Sequence, residues 1–347
     1  MSSSVALRSV NPALKEFYTQ VPRSVYGKTQ LISQNSCQKL LDKLNLQDKY
    51  KRSKLDIIDA NPGFGLFSSM LNFELKPRNH ILLERTEESL KGWKSKIEHL
   101  QNVTGNVENF KLCNHDPFRW NTIDYLYQNN LIPPINVQPR DKVHDELLIV
   151  ANWSNPDSEF IVAQWLGCCG NRNWFMKYGN VRMLLFIPSE SARKFLALPG
   201  WRKRNRTALK RDFFTESRLI GIGCDGVIGE GYDPRLLVRD QPVVIEKSAR
   251  LRAKELALVE FIPGKYTIDS IEPIEHLLSQ FYCTKVTLGE LLPKLAPGAE
   301  YMSRYLSQEL LNKSAFEFTT DDALAIASAY ERWPFKPSIE EFFDTRN

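Results

Sequence analysis

The sequence predicts an α/β fold: an open sheet flanked by helices on both faces, followed by a small helical C-terminal domain. Three observations carry this. Between residues 34 and 267, helix-like and strand-like segments alternate, the pattern of strands joined by crossover helices. The strand-like segments are continuous leucine-rich and β-branched runs, as expected of strands covered on both sides. Past residue 270 the strand signals cease and helical ones take over.

In order, Cys37–Leu46 (CQKLLDKLNL) sets Leu40, Leu41 and Leu44 at helical spacing. Leu55–Asp59 (LDIID) is a short buried strand ending on an acid, Leu66–Leu75 a helix, and Pro77–Glu84 (PRNHILLE) the next strand. Phe110–Cys113 and Glu146–Ala151 (ELLIVA) extend the sheet, a helix runs from about Ser158 to Cys169, and Val181–Ile187 (VRMLLFI) is an apolar strand bounded by Pro188. Ser189–Leu198 reads as a helix, residues 221–234 (GIGCDGVIGEGYDP) as a glycine-rich loop, and Glu255–Ile262 as a late strand stopped by Pro263-Gly264. In the C-terminal part three stretches read as helices: residues 272–282, the stretch opened by a capping box at Thr287 and Glu290, and residues 319–333, with Thr320 or Asp321 as the cap. The boundaries fall at 1–33, 34–267 and 268–347.

Composition bounds the function classes. At 347 residues, 42% hydrophobic and 25% charged, the chain has ordinary globular composition and enough length for a substantial core. No stretch reaches the roughly 18 apolar residues a membrane-spanning helix needs. The six cysteines show neither C-x-x-C pairs nor regular spacing, and the five histidines are scattered, so neither a disulfide framework nor a metal is expected. A net charge of +5 permits a polyanionic partner without demanding one. The first thirty residues hold Arg8, Lys15, Arg23 and Lys28 against Glu16 alone, which suits an organelle-targeting segment and equally an exposed basic terminus.

The most informative local feature is Asp59-Ala60-Asn61-Pro62-Gly63-Phe64-Gly65, directly after a buried strand and before a helix. Glycines at such a turn let a ligand approach the backbone and the helix N-terminus. Glu84 ends the next strand, where a carboxylate can take both hydroxyls of a ribose, and Asp116 follows the third, placed to receive the exocyclic amine of an adenine. The ordered trio resembles the class I S-adenosylmethionine methyltransferases. With Tyr26-Gly27-Lys28-Thr29-Gln30-Leu31 upstream, residues 25–265 more narrowly resemble the ribosomal RNA adenine dimethyltransferase family.

That resemblance implies an S-adenosyl-L-methionine pocket built from Leu31, Asp59, Gly63, Glu84, Asp116 and Asn152. It also implies a fourth strand ending in Asn-[Leu/Ile]-Pro-[Tyr/Phe], whose aromatic ring stacks on a flipped adenine. The chain has Asn152-Trp153-Ser154-Asn155 there, and its usual first glycine is Asn61. Only the asparagine of the motif survives, Trp153 being one residue out of phase for the ring. A degraded motif on a retained scaffold argues against methyl transfer and for recruitment to another role.

KLCNHDPFRW, LLIVANWS, NVRMLLFIPSESARKFLALPG and ERWPFKP are similar to the fungal branch of this family that serves as specificity factors of mitochondrial RNA polymerase. What this implies is a partner of that polymerase in the mitochondrial matrix that recognises and melts promoter DNA, holds the non-template strand and requires no cofactor. Such a factor needs cations for phosphates and rings for unpaired bases. The candidates are Arg202, Lys203, Arg204, Arg206, Lys210 and Arg211 of the basic run, with Trp201 beside it, Arg193 and Lys194 before it, and Phe118 and Trp120 at the pocket rim. A solvated surface is the other reading of the basic run, and core packing that of the two rings. Two further readings stay open: an active dimethyltransferase using Glu84, Asp116 and Asn152, and a general RNA-binding protein.

Overall fold

The structure, a computed structural model, describes residues 28–104, 109–251, 254–267, 269 and 286–336. Its centre is an eight-stranded sheet of order β4-β3-β2-β5-β6-β10-β7-β8. The strands are β2 (Asp56–Ala60), β3 (Asn79–Glu84), β4 (Phe110–Asn114), β5 (Val143–Asn152), β6 (Asn180–Pro188), β7 (Thr215–Gly223), β8 (Val243–Val244) and β10 (Leu256–Pro263). Strands β4 to β6 pair in parallel, and β10 runs antiparallel between β6 and β7. A second, two-stranded sheet pairs β1 (Gln30–Leu31) with β9 (Arg250–Leu251).

Strand parity divides the core in two. Ile57, Leu82, Leu148, Val150 and Leu184 point to the face covered by α1 (Gln34–Leu44), α2 (Leu66–Leu75) and α3 (Glu87–Thr104). Their neighbours Ile58, Ile81, Leu83, Ile149 and Met183 point to the other face, under α4 (Thr122–Gln128), α5 (Glu159–Asn171) and α7 (Arg206–Phe214). Apolar residues at consecutive positions are required because both faces are buried. The second core continues into residues 286–336, where Leu288, Met302, Ile326 and Trp333 join it.

The predicted strands and helices through residue 195 lie within a few residues of their expected ends, Leu66–Leu75 at both. After that come corrections. The helix begun at Ser189 stops at Phe195, forming α6 (Ser189–Phe195), and the basic run folds from residue 206 into α7, capped by Asn205. The glycine-rich segment is a loop only after residue 223, because its first three residues finish β7. A short helix, α8 (Pro234–Asp240), follows it.

Near the C-terminus, α9 (Leu288–Leu295) carries the expected capping box of Thr287 and Glu290, and a one-turn helix, α10 (Gln308–Leu311), follows. The last helix, α11 (Thr320–Glu331), is capped by Thr319 rather than by Thr320 or Asp321, since the Thr319 hydroxyl accepts from the Asp322 N–H. The expected helix over 272–282 and the first 27 residues lie outside the described residues.

Candidate functional site

The carboxyl ends of β2, β3 and β5 converge on the turn after β2. Asn61, Gly63 and Gly65 all have positive φ, 55°, 59° and 83°. Gly65 admits no side chain, because a Cβ there would lie 2.3 Å from the buried Trp93 ring of α3. At Gly63 the space is already taken, the Gln30 carboxamide lying 2.5 Å from where a Cβ would sit. That carboxamide also accepts the Phe64 N–H at 3.2 Å, so β1 lies across the turn as a strap.

The strap engages the end of β5 as well. The Asn152 amide donates to the Thr29 carbonyl at 3.1 Å, and its carbonyl oxygen accepts the Ser154 hydroxyl at 2.7 Å and the Ser154 N–H at 3.2 Å. The Ser154 Oγ in turn accepts the Thr29 N–H at 2.9 Å. Asp59 is buried and bound to His80 at 3.2 Å. The crevice lined by Thr29, Gln30, Leu31, Asp59 and Asn152 retains only about 20 Å³, room for a single water.

Beside it the picture changes. A cavity of about 350 Å³ opens over β3 and β4, walled by Glu84, Asp116, Phe118, Trp153, Asn155 and Phe160. Glu84 accepts the Gly63 N–H at 2.7 Å, and Asp116 is paired with Arg85 at 2.8 Å. Burial pushes the Glu84 carboxyl up, against the pull of Lys28 and the Gly63 N–H. Burial likewise brings the Lys28 and Lys96 ammonium groups down to about 8, with Glu84 opposing both shifts. Lys96 is held by the Phe64 carbonyl at 2.6 Å. Among the described residues no cluster of three His, Cys, Asp or Glu stands ready for a metal.

A family model described as ribosomal RNA adenine dimethylase matches residues 20–223. The chain belongs to the ribosomal RNA adenine dimethylase family. It is 31% identical over 320 residues to mitochondrial transcription factor 1 of Saccharomyces cerevisiae, covering 90% of this chain and 91% of that one. Mitochondrial transcription factor 1 of Lachancea kluyveri is 27% identical over 342 residues, covering 97% and 96%. Among solved structures, a dimethyladenosine transferase from Plasmodium falciparum superposes with a TM-score of 0.52 at 12% identity over 84% of this chain and 95% of that one, a likeness of fold.

Membership in this dimethylase family makes S-adenosyl-L-methionine a plausible ligand. The residues present fit it at one end only. Gly63, Glu84 and Asp116 line open space, whereas the end beside Leu31, Asp59 and Asn152 is filled by Thr29 and Gln30.

The nucleic-acid candidates separate sharply. Phe118 and Trp120 are exposed, 36% and 56%, and Phe118 packs edge-on against exposed Phe160 at 5.5 Å, so the core-packing reading of both rings is wrong. Within the basic run Arg204 and Arg211 are internal, which corrects their reading as phosphate-binding residues. Arg204 is buried and donates to the Ala197 and Phe318 carbonyls and to Asp212 at 2.7–3.0 Å, fastening α7 to the C-terminal residues. Arg211, equally buried, donates to the Phe195 and Ala197 carbonyls and pairs with Asp212, and burial lowers it to about 10.

Arg193 pairs with Glu190 and Glu255, Lys194 with Glu159, and Lys203 with Glu190. Trp201 is half-buried, and Lys210 is half-buried with a partner of its own. Arg202 and Arg206 remain exposed. Sequence reasoning missed Phe160 at the rim and the part that Thr29, Gln30 and Ser154 play in closing the crevice. Ser154 was visible only as a lost proline, and its partner lies 125 positions away.

Proposed function

We propose that this chain is a mitochondrial transcription initiation factor that uses a methyltransferase fold as a scaffold for single-stranded DNA rather than for methyl transfer. The observation that carries the reading is the occupation of the Asn152 carbonyl oxygen. An amide oxygen that must accept an adenine N6–H needs a free lone pair, and here both are taken by the Ser154 hydroxyl and N–H, while one amide N–H is given to the Thr29 carbonyl. The likeness to two yeast mitochondrial transcription factors over nine-tenths of the chain supports the role and a mitochondrial location, within which the proposed compartment is the matrix.

In this reading the chain partners the single-subunit mitochondrial RNA polymerase and helps open the promoter. Phe118, Trp120 and Phe160 supply faces for bases of the displaced non-template strand, and Arg202 and Arg206 supply charge for its phosphates. No cofactor is required. The test is the fluorescence of 2-aminopurine placed in a mitochondrial promoter, recorded with the cognate polymerase alone and with this protein added. A rise only with both present is expected. No rise, with the polymerase shown active on a premelted template, overturns the reading.

The second reading, an active rRNA adenine N6-dimethyltransferase, is favoured by the open cavity over Glu84 and Asp116. Transfer of label from S-adenosylmethionine to small-subunit ribosomal RNA would establish it.

A further inference from the structure

A third aromatic and cationic cluster lies on the C-terminal residues, far in sequence from the pocket rim and from the basic run. The 3₁₀ turn Ala299–Tyr305 packs against α11 and carries Tyr301, Arg304 and Tyr305. The rings of Tyr301 and Tyr305 meet edge to face at 5.7 Å, with their hydroxyls 3.2 Å apart. Arg304 lies over Tyr301 at 4.6 Å, and Arg332, at the end of α11, over Tyr305 at 5.3 Å. The result is a ledge of two stacked guanidinium–phenol pairs, fixed in place by each other.

Its chemistry is unsatisfied in one respect. Both guanidiniums are exposed, and neither has an acidic partner among the described residues. The acids on the two elements are Glu300, Asp321, Asp322 and Glu331, of which Asp322 pairs with Lys313 and Glu331 with Lys336. Tyr305 is 40% exposed, and Phe335, three residues beyond Arg332, is 83% exposed. An exposed guanidinium held over a ring without an acidic partner is suited to stack a base and hold a phosphate.

We infer that the ledge of Tyr301, Arg304, Tyr305 and Arg332 is a second contact surface for single-stranded nucleic acid, separate from the pocket rim. The inference does not depend on promoter opening, so it is tested without polymerase or promoter. Binding of the full chain to a fluorescein-labelled single-stranded oligonucleotide is followed by anisotropy at several salt concentrations. Arg304→Gln/Arg332→Gln is expected to weaken binding at least fivefold and to reduce the salt slope by about 0.7 for each arginine. Tyr305→Leu weakens binding with the slope unchanged, and Arg304→Lys/Arg332→Lys keeps the slope.

A purely structural role for the arginines would lower the melting temperature and leave the salt slope alone. Unchanged affinity and slope in the glutamine variant, or no oligonucleotide binding by the unaltered chain, overturns the inference. So does loss of polymerase binding in that variant with oligonucleotide binding intact, which would make the ledge a protein contact.

Discussion

The two halves of the crevice at the carboxyl end of the sheet have the same ancestry of elements and opposite fates. Over β3 and β4 the acids Glu84 and Asp116 face about 350 Å³ of open space rimmed by exposed rings. Over β2 and β5, a few ångströms along the same edge, the strap of Thr29 and Gln30 leaves about 20 Å³. One edge of a single sheet can thus be sealed by its own chain in one half and left open in the other.

The comparison breaks most severely at Gly65. Gly65→Ala places a Cβ 2.3 Å from a fully buried Trp93 ring at φ 83°. The strain and overpacking together are expected to cost about 3 kcal/mol or more, measured as a fall in the urea midpoint. Next comes the open half. Phe118→Ala/Trp120→Ala removes exposed rings, so the melting temperature should hold while affinity for a single strand falls on the order of 5- to 100-fold for each base unstacked. A large loss of stability instead would return both rings to the core.

The closed half responds in the opposite sense. Asn152→Ala removes the bonds to the Thr29 carbonyl and to the Ser154 N–H and hydroxyl, leaving the Ser154 hydroxyl 3.4 Å from that carbonyl, and costs about 1–3 kcal/mol of stability, with promoter opening retained at temperatures where the chain stays folded. Opening that vanishes while stability holds would give Asn152 a direct part in binding DNA and erase the contrast. The smallest effect separates the halves by titration. Lys96 is held to about 8 in the folded chain against 10.5 in the unfolded one. Between those values the unfolded chain binds the extra proton, so stability rises as pH increases through that window. Lys96→Met should lose part of that rise, read from urea midpoints at pH 7.5 and 9.5.

How far the sequence reveals this depends on how local each signal is. The parallel strands β2, β3, β5 and β6 were legible because burial on both faces forces apolar runs. β7 was not, since Glu216 and Arg218 interrupt it and Arg218 is satisfied only by Glu260 on the neighbouring strand. The helix under the basic run was hidden for a related reason. Six cations in eleven residues read as surface, while Arg204 and Arg211 find their carbonyls and Asp212 inside. In the site, the three acids at successive strand ends could be named in advance. The closing of the crevice could not, because it is made by contacts between residue 29 and residues 152 and 154.

Those long separations also set a timetable. The strap is the first described part of the chain to leave the ribosome, yet Ser154, which anchors it, and Arg250 and Leu251, which pair with it, follow far behind. Until then Gln30 has the Phe64 N–H but Thr29 lacks its partner Ser154, and loops this long close late. The closed crevice therefore requires the chain through residue 251, well past the strands that wall it.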